Sequence, residues 1–128
     1  VLNPKIYFRA DGGFAIGMGH LVRSLALAQM LEQAFEICFC CKEAPDSFVQ
    51  DLNKLGLQFL KINTEQDWIS LLKPKDITVI DHYQLGIETH RAIRAKGAKV
   101  VCIDDMHDKP FDADLIINHA PGVKILYC

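Results

Sequence analysis

Short, nearly continuous apolar runs alternate along the chain with longer stretches in which apolar residues recur every three or four positions. The first pattern belongs to strands covered on both faces, the second to amphipathic helices. Strands are predicted at 5–10 (KIYFRA), 35–41 (FEICFCC), 57–62 (LQFLKI), 76–81 (DITVID), 98–105 (AKVVCIDD) and 113–119 (ADLIINH). Helices are predicted at 20–34, 46–56, 64–73 and 86–97. Asp46 is placed as the N-cap of the second helix, Gly56 just past its end, and Pro74 stops the third. In the first helix Leu21, Leu25, Ala28 and Leu31 share one face and form its buried stripe. Strands separated mostly by helices imply right-handed crossovers, hence an α/β fold: a Rossmann-like parallel sheet with helices on both faces. The 128 residues make one domain. The segment APGVKILYC begins what reads as another element, and the chain opens on Val, so a fragment of a longer protein is expected.

Composition narrows the function more by exclusion than by indication. Half the residues are hydrophobic, 23% are charged and the net charge is -2, which leaves no basic footprint for nucleic acid or an anionic membrane. No apolar run reaches the length of a membrane span. Five cysteines without a CxxC pair read as small hydrophobes of a reducing, cytoplasmic compartment.

In a doubly wound sheet, ligands bind beyond the carboxyl ends of the strands where strand order reverses. The polar residues gather at three such joints: DGGFAIGMGH after the first strand, DHYQLG after the fourth and DDMHDKPFD after the fifth. Gly12, Gly13, Gly17 and Gly19 are expected to give the backbone positive φ and close approach to a ligand, with the helix start beyond them directing N–H groups at it. Their spacing is neither GxGxxG nor a Walker loop, and Cys41 and Lys42, followed by the one acid Glu43, stand where a dinucleotide fold wants a ribose-binding acid. No cofactor is implied. His20 falls in the first helical turn with Arg23 and Ser24 on the same face. The helix N-terminus and Arg23 both favour a neutral imidazole, as a general base requires, and Asp11 would oppose them if it touched the ring. Asp81 serves either as a turn cap or in the site, and Tyr83 either packs with its hydroxyl outward or faces the first loop across the crevice. Asp104, Asp105 and Asp108 are hard oxygen donors but read better as solvated loop carboxylates, and His107 and His119 lack zinc-ligand spacing, so no metal is expected.

The stretch RADGGFAIGMGHLVRSLALAQML resembles the opening of the PseG-type UDP-sugar hydrolases of pseudaminic acid biosynthesis, with R-A-D, then I-G-x-G-H-x-x-R, then a Leu/Ala-rich helix. IDHYQLG resembles their Asp-x-Tyr loop, and VCIDDMHDKPFDADLIINH their I-D-D to A-D-L-L-x-N segment, although this chain ends in INH. The resemblance implies the N-terminal half of a two-domain GT-B fold, related to the glycosyltransferase MurG, whose missing C-terminal half supplies most of the UDP site. It implies metal-free hydrolysis of UDP-2,4-diacetamido-2,4,6-trideoxy-β-L-altropyranose by water attack at the anomeric carbon. It carries the base onto His20 and sets Tyr83 beside the substrate; the reading of the joints adds Asp11, Gly12, Gly13, Gly17, Gly19, Arg23, Asp81 and Asp104 as substrate-binding residues. Two other readings remain: a glycosyltransferase half-domain of the same fold, and a non-catalytic nucleotide-sugar binding module.

Overall fold

A computed structural model describes residues 4–103, 113–117 and 125–127. Asp104, Asp105, His107, Asp108 and His119, and with them the third joint, lie outside the described residues. The elements run β1 (Lys5–Ala10), α1 (Gly19–Leu31), β2 (Glu36–Cys41), α2 (Asp46–Leu55), β3 (Gln58–Lys61), α3 (Gln66–Ile69), β4 (Ile77–Asp81), α4 (Ile87–Ala95), β5 (Lys99–Ile103), β6 (Leu115–Ile117) and β7 (Ile125–Tyr127). The sheet order is β3-β2-β1-β4-β5-β6-β7. The first six of these strands in the chain are mutually parallel, and β7 adds antiparallel to β6. The expected Rossmann-like parallel sheet is therefore present, and strand order reverses between β1 and β4.

Alternation along each strand divides the core in two. Ile6, Phe8 and Ala10 of β1 join Ile37, Phe39 and Cys41 of β2 under Leu21 and Ala28 of α1 and Phe48 and Leu52 of α2. Phe8 stacks on Phe39 at 4.9 Å between ring centroids. Tyr7, Cys38 and Cys40 face the other way, into Trp68 and Ile69 of α3 and Ile93 of α4. Cys38, Cys40, Cys41 and Cys102 are buried free thiols. Leu21 and Ala28 lie at the centre of the predicted α1 stripe, with Leu25 and Leu31 packed at its margin.

Several elements are shorter than expected, and three of the differences have plain local reasons. Pro45, not Asp46, occupies the N-cap of α2; Asp46 is the first helical residue, where its charge faces the positive end of the helix. Helix α3 is a single turn instead of the ten residues of 64–73, because i→i+3 bonds from Leu71 to Trp68 and Leu72 to Ile69 tighten the chain before Pro74. Helix α1 stops at Leu31, and Glu32, Gln33 and Ala34 form an exposed turn with nothing to bury. Gly56 closes α2 in the left-handed conformation, as its position predicted.

Candidate active site

The joint after β1 is a small closed loop. Gly13 and Gly17 exchange N–H···O bonds of 3.2 and 2.8 Å, leaving Phe14, Ala15 and Ile16 at an exposed tip. The N–H of Gly12 donates to the carbonyl of Glu43 at 3.0 Å. These N–H groups are engaged within the protein, so Gly12, Gly13 and Gly17 do not offer them to a ligand. Of the four glycines only Gly17 has positive φ, at 83°. Gly12 and Gly13 are there for space: a Cβ would meet Leu21 Cγ at 2.9 Å in the first case and Glu43 Cδ at 2.8 Å in the second. A Cβ at Gly19 would meet nothing. Helix α1 then begins with no side-chain cap, so its first-turn N–H groups keep their outward polarity.

His20, in that turn, reaches across to the end of β4. Its Nδ1 lies 2.6 Å from Asp81 Oδ1, while Arg23 Nε and Nη2 engage both oxygens of the same carboxylate. Parallel register sets this up, because Ala10 pairs with Asp81 and so brings the β1–α1 joint alongside the end of β4. Arginine can only donate, and an ionised Asp81 can only accept. The proton of His20 therefore sits on Nδ1, and the 3.2 Å approach of Arg23 Nη2 to Nδ1 is two donors converging on one oxygen. Nε2 is left as the ring's acceptor. The carboxylate beside His20 is thus Asp81, and Asp11 belongs to a different set of contacts. Asp81 is fully buried, which removes it from direct contact with a ligand and makes it, with Arg23, support for the imidazole. Ser24, one turn along, is buried with its hydroxyl unpartnered.

Asp11 organises the neighbouring cluster. Its Oδ1 accepts from Arg9 Nη1 at 2.8 Å and from the N–H groups of Lys42 and Glu43 at 2.7 and 3.2 Å; Oδ2 accepts from His82 Nε2 at 3.0 Å. Burial by itself would raise the Asp11 carboxyl, but the hydrogen bonds from His82 and Arg9 and the Arg9 charge hold it well below the usual carboxylate range. Arg9, itself almost wholly buried, meets Glu65 in a fork of 2.8 and 3.0 Å, and Trp68 Nε1 donates to the same Glu65. Burial pushes Glu65 upward as well, and the bonds from Arg9 and Trp68 outweigh it. Burial, reinforced by Asp11, pushes the nearby Cys41 thiol up to about 12, so it is no nucleophile at neutral pH.

Between the two clusters lies a pocket of about 160 Å³, lined by Asp11, Ile16, His20, His82, Tyr83 and Gln84. The Tyr83 ring stands edge-on to His20, with centroids 4.6 Å apart and planes at 77°. The structure thus gathers His20, Tyr83 and Asp11 at one pocket, and places Arg23 and Asp81 behind it. Asp104 lies outside the described residues. Sequence reasoning assigned nothing to Arg9, Glu65 or Gln84 and no role to His82. The R-A-D motif had included Arg9 without giving it a role, and a lone arginine within the apolar run KIYFRA was a second signal, since a buried charge needs a partner. Among the described residues no His/Cys/Asp/Glu group of three or more is arranged for a metal ion, and no helix is long and apolar enough to cross a membrane.

Comparison with known proteins gives distant but extensive similarity. The chain is 28% identical over 117 residues to a UDP-2,4-diacetamido-2,4,6-trideoxy-beta-L-altropyranose hydrolase of Campylobacter jejuni, covering 89% of this chain and 41% of that protein. It is 30% identical over 128 residues to an uncharacterized protein of Methanocaldococcus jannaschii, covering 94% of this chain and 26% of that protein. The chain therefore spans less than half the length of these curated relatives. No family model matches it. Among solved structures, a chain of the tetrameric eIF2B-beta2-delta2 complex from C. thermophilum superposes with a TM-score of 0.53 at 10% identity, over 99% of this chain and 47% of that one. This last likeness is one of fold alone.

Proposed function

We propose that this chain is the N-terminal half of a two-domain GT-B-type hydrolase that releases UDP from a UDP-linked 2,4-diacetamido-2,4,6-trideoxyhexose, with His20 as the general base. The observation that carries the reading is the His20–Asp81 pair at the pocket. Asp81 accepts from Nδ1 and leaves Nε2 as the basic atom. Nε2 takes a proton from water as its oxygen bonds the anomeric carbon; the bond from that carbon to the diphosphate oxygen breaks, and UDP leaves with the electron pair. Asp81 then stabilises the imidazolium. Tyr83 lies beside the sugar, and the uncapped start of α1 faces the diphosphate. The distant similarity to a hydrolase of this substrate class supports the reaction type. The pocket volume supports a division of labour. At about 160 Å³ it is below the roughly 300 Å³ at which whole-ligand pockets begin. The UDP moiety then belongs to a second half.

The test uses the intact protein and a UDP-linked sugar of this class, measuring UDP and free sugar together. His20→Ala lowers kcat by roughly 10²–10⁴, the usual worth of a positioned acid–base group, with Kd nearly unchanged. The wild-type rate falls toward acid pH, and that limb is missing in His20→Ala. UDP release that requires an added acceptor sugar identifies a glycosyltransferase instead. Binding without turnover identifies a non-catalytic module.

A further inference from the structure

We infer that His82 is a positioning residue: it clasps the loop after β4 to the end of β1 and so holds Tyr83 against His20. The inference rests on the roles given above to His20 and Tyr83. His82 lines the pocket, and an imidazole there invites the reading of a second acid or base. Its hydrogen bonds point elsewhere. The backbone N–H of Gln84 donates to His82 Nδ1 at 3.1 Å, which requires a lone pair on Nδ1 and puts the proton on Nε2. Nε2 lies 3.0 Å from Asp11 Oδ2, which can only accept. Both ring nitrogens are engaged in a fixed sense, and neither is presented to a substrate.

The far end of the clasp is rigid. Asp11 is held at its other oxygen by Arg9 and two backbone N–H groups, and Arg9 is locked in its fork with Glu65. The near end is Tyr83, which sits between His82 and Gln84 in sequence, the two residues tied through one imidazole. Tyr83 is 43% exposed, so core packing contributes little to its position. The ring projects from the backbone between His82 and Gln84, and His82 ties that backbone to Asp11.

The test compares His82→Ala, His82→Gln, His82→Asn, Tyr83→Ala and the His82→Ala/Tyr83→Ala double variant in the intact protein. The first readout is the NMR shift that the Tyr83 ring current imposes on the His20 ring protons. It vanishes in Tyr83→Ala, and we expect it to vanish equally in His82→Ala. Glutamine can donate to Asp11 and should preserve it. Asparagine can accept from Gln84 but is too short to reach Asp11, and should lose it. Should His82→Ala fail to fold, by Trp68 fluorescence, the glutamine–asparagine pair decides alone. The second readout is turnover. His82→Ala and Tyr83→Ala each lower kcat by up to about 100-fold, the cost of misplacing a site group by an ångström, and the double variant is no worse than Tyr83→Ala. The acid limb of the rate profile persists in His82→Ala. An unchanged His20 shift in His82→Ala, multiplied losses in the double variant, an asparagine better than glutamine, or disappearance of the acid limb would each overturn the clasp. Absence of turnover in the wild type refutes the proposed hydrolase, while the NMR comparison still decides the clasp.

Discussion

At the scale of single residues, the functional weight of a side chain depends on what stands behind it. Arg23 was expected among the residues that surround the substrate, yet its guanidinium engages both oxygens of the Asp81 carboxylate. Arg23→Ala should therefore leave substrate Kd within about threefold and reduce kcat, because Asp81 loses the partner that fixes it under His20; isothermal titration beside steady-state kinetics checks this. A large loss of affinity at constant kcat would instead make Arg23 a direct contact of the substrate. The neighbouring glycines make a sharper pair. At Gly12 an added methyl meets Leu21, which is fully buried, so Gly12→Ala should destabilise the fold by about 1–3 kcal/mol, the usual cost of overpacking. At Gly13 the methyl meets the side chain of exposed Glu43, which can swing away. Gly13→Ala should shift the urea midpoint little.

At the scale of elements, the cluster around Asp11 ties four pieces of chain together, with His82 from the loop after β4 the fourth. Arg9 comes from β1, Lys42 and Glu43 follow β2, and Glu65 leads into α3. Removing the central cation strands two carboxylates, so Arg9→Met should cost about 3–5 kcal/mol, as for other buried pairs that lose one partner. The same cluster sets a pH dependence. The folded-state value of Asp11 is depressed, so its contribution is complete above the unfolded carboxyl value of about 3.9 and is lost as pH falls through the folded value. Asp11→Asn lacks that contribution. The stability gap between wild type and Asp11→Asn should be widest at pH 7 and narrow steadily below about pH 4, the unfolded carboxyl range. Urea titrations followed by the buried Trp68 measure it. A gap independent of pH would show that Asp11 acts by shape alone.

At the scale of the molecule, the pocket sits where strand order reverses, at the carboxyl ends of β1 and β4. Its volume is that of a subsite. Much of the rate of such a reaction comes from holding water, sugar and leaving group in one geometry. On the proposed two-domain reading, the 128 residues alone should show negligible UDP release, and the same residues joined to a second half should turn over under the same conditions; a continuous UDP assay on both decides it. Comparable rates would place the whole site within this chain.

The order of strands and helices, the parallel sheet and the two joints that line the pocket were legible in the sequence, because apolar periodicity, Gly, Pro and caps act over a few residues and need no partner. The same locality explains what was hidden. His20 and Asp81 are 61 residues apart, Arg9 and Glu65 56, and His82 and Asp11 71. Which carboxylate meets which cation follows from Ala10 lying beside Asp81 in the sheet, a matter of register between strands that no single segment encodes. Sequence placed Asp11, His20, Asp81 and Tyr83 at neighbouring joints. Only the packed sheet could assign Asp81 to His20 and Asp11 to Arg9 and His82, since pairing of buried charges is decided by distances of a few ångströms, set once the strands are side by side.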